Sequence, residues 1–309
     1  MYIYGSHDRF DEEDFCMNDY VCWSAPIDDL GAWKKEGVIY RSVQDPLNED
    51  DTQHLFAPDV QVGEDGRYYL FYCLHRSPTV SVAVCDEPAG EYQFYGHIRY
   101  ADGTLYGQKQ GDVFNFDPGV LRDDNGRKSE PVLAVPGEVL SEGTDFEGQW
   151  YVFYHRHTNR YRNSRQMCAG QIKIAEDGKI AQTEITSCGL NGGPLQGTGR
   201  YEARIACNLS SAGGTFMYQK EKTAGEEMHP YFTQDGEDRE DNPNQYIVNL
   251  RDGAWAGFKY FDIRQNSQIR ISVRGNAEGE MLVQDEKDGE IRAVIPVRPS
   301  ADWQWFEFC

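Results

Sequence analysis

The sequence predicts an all-β protein, and three observations carry that prediction. Helical 3.6-residue periodicity is almost absent along the chain. Aromatics make up 13% of the 309 residues, with 19 Tyr and 15 Phe, and such side chains favour strands. Short aromatic or β-branched runs alternate with Gly, Asp and Asn turns.

Taken in order, three stretches look alike: "YIYGSHD" (2–8), "EDGRYYLFYCLHR" (64–76) and "FEGQWYVFYHRH" (146–157). The last two share an acidic-Gly turn, a polar residue and a run ending in Phe-Tyr. A repeated turn-plus-strand unit suggests a solenoid or propeller, although any all-β protein reuses hairpins of this kind. "SVAVCDEPAGEYQFYG" (81–96) adds two strands around a Pro-Ala-Gly turn, and "CAGQIKIAEDGKIAQTE" (168–184) reads as a hairpin about Asp177-Gly178. The Gly-dense "SCGLNGGPLQGTGR" (187–200) is expected to be a linker. It divides a propeller-like region, 1–190, from a β-sandwich, 200–309. Beyond it the aromatic repeat stops, and "YEARIACNL", "QYIVNL", "AGFKYFDI", "QIRISVRG" and "IRAVIPV" alternate as sandwich strands do. "QDGEDREDNPNQ" (234–245) reads as a solvated loop without the spacing of an EF-hand.

A net charge of −21 repels phosphate backbones and anionic membranes, so neither nucleic acid nor a membrane is an expected partner. Neutral substrates, or divalent cations held by carboxylates, fit better. The eight cysteines are scattered without a C-x-x-C, which reads as free thiols in a reducing compartment. The N-terminus shows no basic stretch followed by an apolar one, and no run of 18 apolar residues occurs; the expected location is cytoplasmic. The first residues already read as strand, so upstream sequence is expected to be missing.

Several motifs together resemble glycoside hydrolase family 43: "YIYGSHD", "VCWSAPIDDLGAWKKEG", "FAPDVQVGEDGRYYLFY", "FDPGVL", "WYVFYHRHTN" and "SRQMCAGQI". The resemblance implies a five-bladed β-propeller acting on α-L-arabinofuranosides and β-D-xylosides. The segment from about 200 to 305 is similar to a family 6-type carbohydrate-binding β-sandwich, jelly-roll-like in form. The implied chemistry is inverting: a carboxylate base activates water while a carboxylic acid protonates the leaving oxygen. A third carboxylate raises and orients the acid, and this role falls on Asp117 of the Asp-Pro motif. Read from its neighbours alone, Asp117 is a turn residue.

The same resemblance places a sugar-binding arginine at Arg165 and an axial histidine at His155, which helps hold a calcium ion largely through water. His157 points to the same strand face and competes with it. Asp59, His7 and Asp8 are expected to line the axial pocket, with capping as the simpler alternative. Trp23 and Trp33 are expected in the core; Trp255 and Tyr260 are either core or a sugar-stacking platform. Two expected carboxylates are missing by position. The base would precede "YIYGSHD", and the Phe-Phe-Glu motif of the acid is absent between "FDPGVL" and "YHRH". Glu147, in a Phe-Glu-Gly turn, is not assigned to that role. Length agrees: about 190 residues make roughly four blades at ~40–50 residues each, so the ring is expected to be incomplete. The expected function is a pentoside hydrolase of doubtful activity, against a non-catalytic carbohydrate-binding protein or an inactive fragment.

Overall fold

The computed structural model describes residues 1–9, 12–112, 117–120, 132–133, 143–146, 149–176, 180–216, 226–236, 244–264 and 267–308. Among them the only helical elements are three single 3-10 turns, so the all-β expectation holds. Among the described residues no helix is long and apolar enough to cross a membrane.

The first half is built of antiparallel meanders, the unit from which propeller blades are made. Strands β1 (Tyr2–His7), β2 (Asn18–Ser24) and β3 (Lys34–Tyr40) form one three-stranded sheet in sequence order. A four-stranded sheet follows, from β4 (Leu55–Val62), β5 (Tyr68–Leu74), β6 (Val80–Cys85) and β7 (Gln93–His97). The turn into β5 shows why "EDGR" stands there. Gly66 takes a φ of 79° that side chains resist, and the Asp65 carboxylate accepts the Arg67 N–H at 3.2 Å.

The short pair β8 (Pro118–Gly119) and β9 (Val132–Leu133) comes next. Then β10 (Gly143–Phe146), β11 (Gln149–Thr158) and β12 (Tyr161–Ile172) make a third meander, in which β11 and β12 stay paired from Trp150–Ile172 to His157–Arg165. The three look-alike stretches thus become β1, β5 and β11, one in each sheet.

The main core lies between the first two sheets, where Tyr20, Tyr40, Leu70 and Tyr72 are fully buried. Buried hydroxyls need partners. Tyr40 and Tyr72 share a 2.6 Å hydrogen bond, Tyr72 donates to the fully buried Asp45 at 2.7 Å, and Tyr20 donates to the Phe56 carbonyl at 2.6 Å.

The Gly-rich stretch is not a free linker. Within it β13 (Leu195–Gln196) pairs in parallel with β18 (Phe261–Asp262), and the Leu195 N–H donates to the Tyr260 carbonyl at 2.8 Å. Backbone approach is so close that a Cβ at Gly197 would collide with the Asp262 carbonyl, which accounts for a glycine there. The rest of the C-terminal region is a set of antiparallel pairs. β14 (Asn208–Ser210) pairs with β17 (Trp255–Gly257), and β15 (Tyr231–Gln234) with β16 (Gln245–Val248). β19 (Arg270–Gly275) pairs with β22 (Ser300–Glu307), and β20 (Gly279–Gln284) with β21 (Ile291–Val297).

Alternation is clear in β21, where Ala293, Ile295 and Val297 are buried and Pro296 is exposed. It fails in "YEARIACNL", where Ala203–Ile205 is a 3-10 turn and only Asn208–Ser210 is strand. The reason is tertiary: Arg156 of β11 donates at 2.8 Å to the Ala206 carbonyl and also to that of Arg204, which claims backbone acceptors a strand would use. Of the hairpin expected at 168–184, the described residues keep one bridge, Ile174–Ile180, while Asp177 and Gly178 lie outside them.

Candidate active site

Asp8 and Arg165 stand 157 residues apart and form the centre of the site. Asp8 directly follows β1, whose pairing with β2 shifts register between Gly5 and His7. That bulge re-aims the chain end. The Asp8 carboxylate grips Arg165 with two 2.7 Å hydrogen bonds, accepted from Nε and Nη2. A paired carboxylate and guanidinium fork of this kind is strong and directional. The pair is mostly shielded, with 23% of the Arg165 side chain and 11% of the Asp8 side chain exposed.

A loop closes over them. Arg165 Nη2 lies 3.2 Å from Cys16 Sγ, its guanidinium stands 4.8 Å from the Phe15 ring centre, and the Cys16 N–H donates to Asp8 at 2.9 Å. Cys16 takes a left-handed φ of 58° to make these contacts. Burial pulls the Arg165 pKa down, but the Asp8 contacts outweigh it and the net direction is up.

Asp117 also adopts a left-handed φ, 52°, directly before Pro118. Proline disfavours helical-type conformations in its predecessor, so this is stored backbone strain. Half-buried, the Asp117 carboxyl is pushed up to about 6 by burial, with Arg165 holding it back. The opening β8 is fixed from behind by Asp59. That carboxylate is 7% exposed and accepts the Val120 N–H at 2.6 Å; burial raises its pKa, and this hydrogen bond opposes the rise.

His155 sits on β11 opposite Met167, exposed at its edge, and His157 stacks beside it with ring centres 6.1 Å apart at 30°. Its pKa is lowered by burial and by the Arg165 charge, against the pull of Asp8. A neutral imidazole is therefore favoured at neutral pH.

Asp8, Arg165, Asp117 and His155 thus form one electrostatic group, with Arg165 acting on all three others. His7 ends β1 opposite Asn18, next to that group in the chain. Asp59 accepts the Val120 N–H at one carboxylate oxygen, and the Gln61 side-chain amide lies 3.5 Å from the other. Phe116, Glu142 and Glu147 lie outside the described residues, and Asp145 is described only as a strand position of β10 opposite Trp150.

Sequence reading missed Phe15 and Cys16, and also Asn163, which is 2% exposed and donates to the Glu13 carbonyl behind the loop. No motif marks them, because their partners come from distant strands. Among the described residues no group of three His, Cys, Asp or Glu is arranged to hold a metal. Tyr260 is half-exposed and donates its hydroxyl to Glu184 at 2.7 Å, while Trp255 is partly buried under Lys287, so these two residues serve different contacts.

Residues 1–128 match the family described as glycosyl hydrolases family 43. A xylosidase/arabinosidase of Thermoclostridium stercorarium is 39% identical over 414 residues, spanning 99% of this chain and 87% of the relative. Solved structures similar to this chain include an α-L-arabinofuranosidase from Clostridium thermocellum, at 18% identity, TM-score 0.41, covering 59% of this chain and 89% of that one. Another is a family-43 enzyme from Xanthomonas citri complexed with xylotriose, at 17% identity, TM-score 0.43, covering 58% and 86%. A third, a β-xylosidase/α-arabinofuranosidase from a compost metagenome, is described as a calcium-free form; it has 16% identity, TM-score 0.42, and covers 58% and 89%. With a relative this similar along nearly its whole length, the chain belongs to glycosyl hydrolases family 43 and is by class a glycosidase with a carbohydrate substrate.

Proposed function

We propose that this chain acts on the arabinofuranosyl and xylosyl linkages of plant polysaccharides or their oligosaccharides, by inversion. The observation that carries the reading is the similarity to the xylosidase/arabinosidase, supported by the Asp8–Arg165 fork and by the Arg165 charge that acts on Asp117 and His155.

In this reading Asp117 is the carboxylate that raises and orients the proton donor. Its burial gives it a pKa of about 6, so its own charge is poised near neutrality. Arg165 binds the sugar at the cleaved bond, held in plane by Asp8, and His7 and Asp8 border the same pocket. Asp59 serves that pocket from behind, by fixing the strand that opens at Asp117.

A calcium ion, if held by His155, would be mostly hydrated: one neutral imidazole beside Asp8 suits a water-rich shell, not a closed cage of carboxylates. Such an ion would supply electrostatic stabilisation near the sugar. The propeller-like region at 1–190 and the sandwich region at 200–309 are proposed as the two domains.

Among the described residues, Asp8 is committed to Arg165 and Asp59 to Val120, so neither is free to act as base or acid. Each such group typically contributes ~10²–10⁴-fold. With these two engaged, neither Asp8 nor Asp59 supplies that factor. The test is an assay on aryl α-L-arabinofuranoside and aryl β-D-xyloside, with Asp117→Ala as control. Turnover that disappears in the control supports the proposal; no hydrolysis of either pentoside at any enzyme concentration overturns it.

A further inference from the structure

The exposed face of the paired strands β19 and β22 carries aromatic rings and cations that the glycosidase site does not use. Register sets Ser272 opposite Trp305 and Arg270 opposite Glu307, so Arg270, Arg274, Trp303 and Trp305 share one face. Trp305 is 53% exposed. Two guanidiniums attend its ring: Arg200, from the Gly-rich stretch, at 5.6 Å from the ring centre and Arg270 at 5.9 Å.

The neighbouring cation is already neutralised. Arg274 lies 4.8 Å from the Trp303 ring centre and pairs with Asp235 at 2.9 Å. Neither Arg200 nor Arg270 has a carboxylate partner among the described residues, and Glu307, opposite Arg270, instead accepts from Gln268 at 3.2 Å. In a chain with 51 acidic and 30 basic residues, two arginines on one exposed tryptophan, neither paired with a carboxylate among the described residues, stand out against the surrounding charge.

We propose that the Trp305 face, with Arg200 and Arg270, binds uronic acid residues of an acidic polysaccharide. A pyranose ring offers a flat C–H face that stacks on indole, and its carboxylate matches an arginine. A neutral sugar would need the ring but not the two cations. A small inorganic anion would need the cations but not the ring. A nucleic acid would meet the negative field of the whole chain. The inference rests on the polysaccharide reading above and extends it: the chain would be anchored on uronate-bearing xylan through a surface separate from the pocket that receives the pentose.

The experiment is affinity electrophoresis and calorimetry of the full chain with glucuronic-acid-substituted xylan and with neutral arabinoxylan. The expected result is at least tenfold tighter binding to the acidic xylan, lost on raising salt from about 50 to 300 mM as ion-paired contacts weaken. Arg200→Gln with Arg270→Gln should remove the preference and its salt dependence. Trp305→Ala should weaken binding to the acidic xylan by a similar factor. Far-UV spectra and melting curves are recorded for each variant. The wild-type comparison of two xylans at two salts decides the matter even where a variant does not fold.

Equal binding to both xylans, or a double variant that keeps the preference, overturns the proposal. So does a dimer that dissociates on Trp305→Ala without any xylan binding, which would make the face a contact between copies. Failure on aryl pentosides, by contrast, would remove the assigned hydrolysis and leave the preference for acidic xylan intact.

Discussion

Replacing Asp59 separates the two contributions of its carboxylate, a hydrogen-bond acceptor and a buried charge. The acceptor is what β8 needs: Val120 N–H donates to it at 2.6 Å across 61 residues of sequence, and β8 itself is a two-residue ladder. Asp59→Ala leaves that amide without its partner in a site where Asp59 is 7% exposed. An unsatisfied buried donor costs ~1–3 kcal/mol. Asp59→Asn keeps an acceptor oxygen in place and removes the charge, whose burial is unfavourable, as the raised pKa shows.

The expected order at pH 7 is therefore Asn equal to or above the natural protein, and Ala lowest by about 2 kcal/mol. For a chain of 309 residues that gap corresponds to about 3 °C in melting temperature. A carboxyl whose folded-state pKa is raised contributes stability that is present below its unfolded value and lost as pH rises through the folded one. The natural protein should accordingly gain on the Asn variant when pH is lowered from 7 to about 4. Differential scanning calorimetry of the three proteins at both pH values measures all of this. Equal melting of the Asn and Ala variants at pH 7 would refute the reasoning, because the charge rather than the acceptor would then hold the strand.

Three further outcomes are expected. Arg165→Met removes the charge that lowers both Asp117 and His155, so the pKa of each should rise above its natural value, read by NMR titration of carboxyl and imidazole signals. Asp117, with its folded-state pKa raised to about 6, should make the protein more stable below about pH 4 than above 6, and Asp117→Asn should flatten the melting temperature across that window. Tyr72→Phe strips the fully buried Asp45 of a 2.7 Å donor and Tyr40 of its 2.6 Å partner, so urea denaturation should show a loss of ~1–3 kcal/mol, more than a surface Tyr→Phe such as Tyr95→Phe.

What the residue order determined by itself is local. Period-two alternation and Gly/Asp turns marked β5, β11 and β21 as strands, because strand propensity and turn chemistry act over a few neighbouring residues. The family motifs likewise picked out Asp8, Asp117, His155 and Arg165, since each stands in a recognisable stretch. Tertiary structure decided what those side chains do. Arg165 could have faced solvent; the pairing of β11 with β12 and the bulge after Gly5 bring Asp8 to it, with Phe15 and Cys16 closing over both. Asp59 stands in a recognisable stretch too, but only the position of β8 gives its carboxylate the Val120 N–H as a partner. The glycines of 187–200 looked like a linker because local sequence shows flexibility, not the strand that will lie against it; β18 supplies that strand from 66 residues away, at Leu195–Phe261. Contacts of this range cost chain entropy and are recovered only when whole sheets have formed, so no short window of sequence contains them.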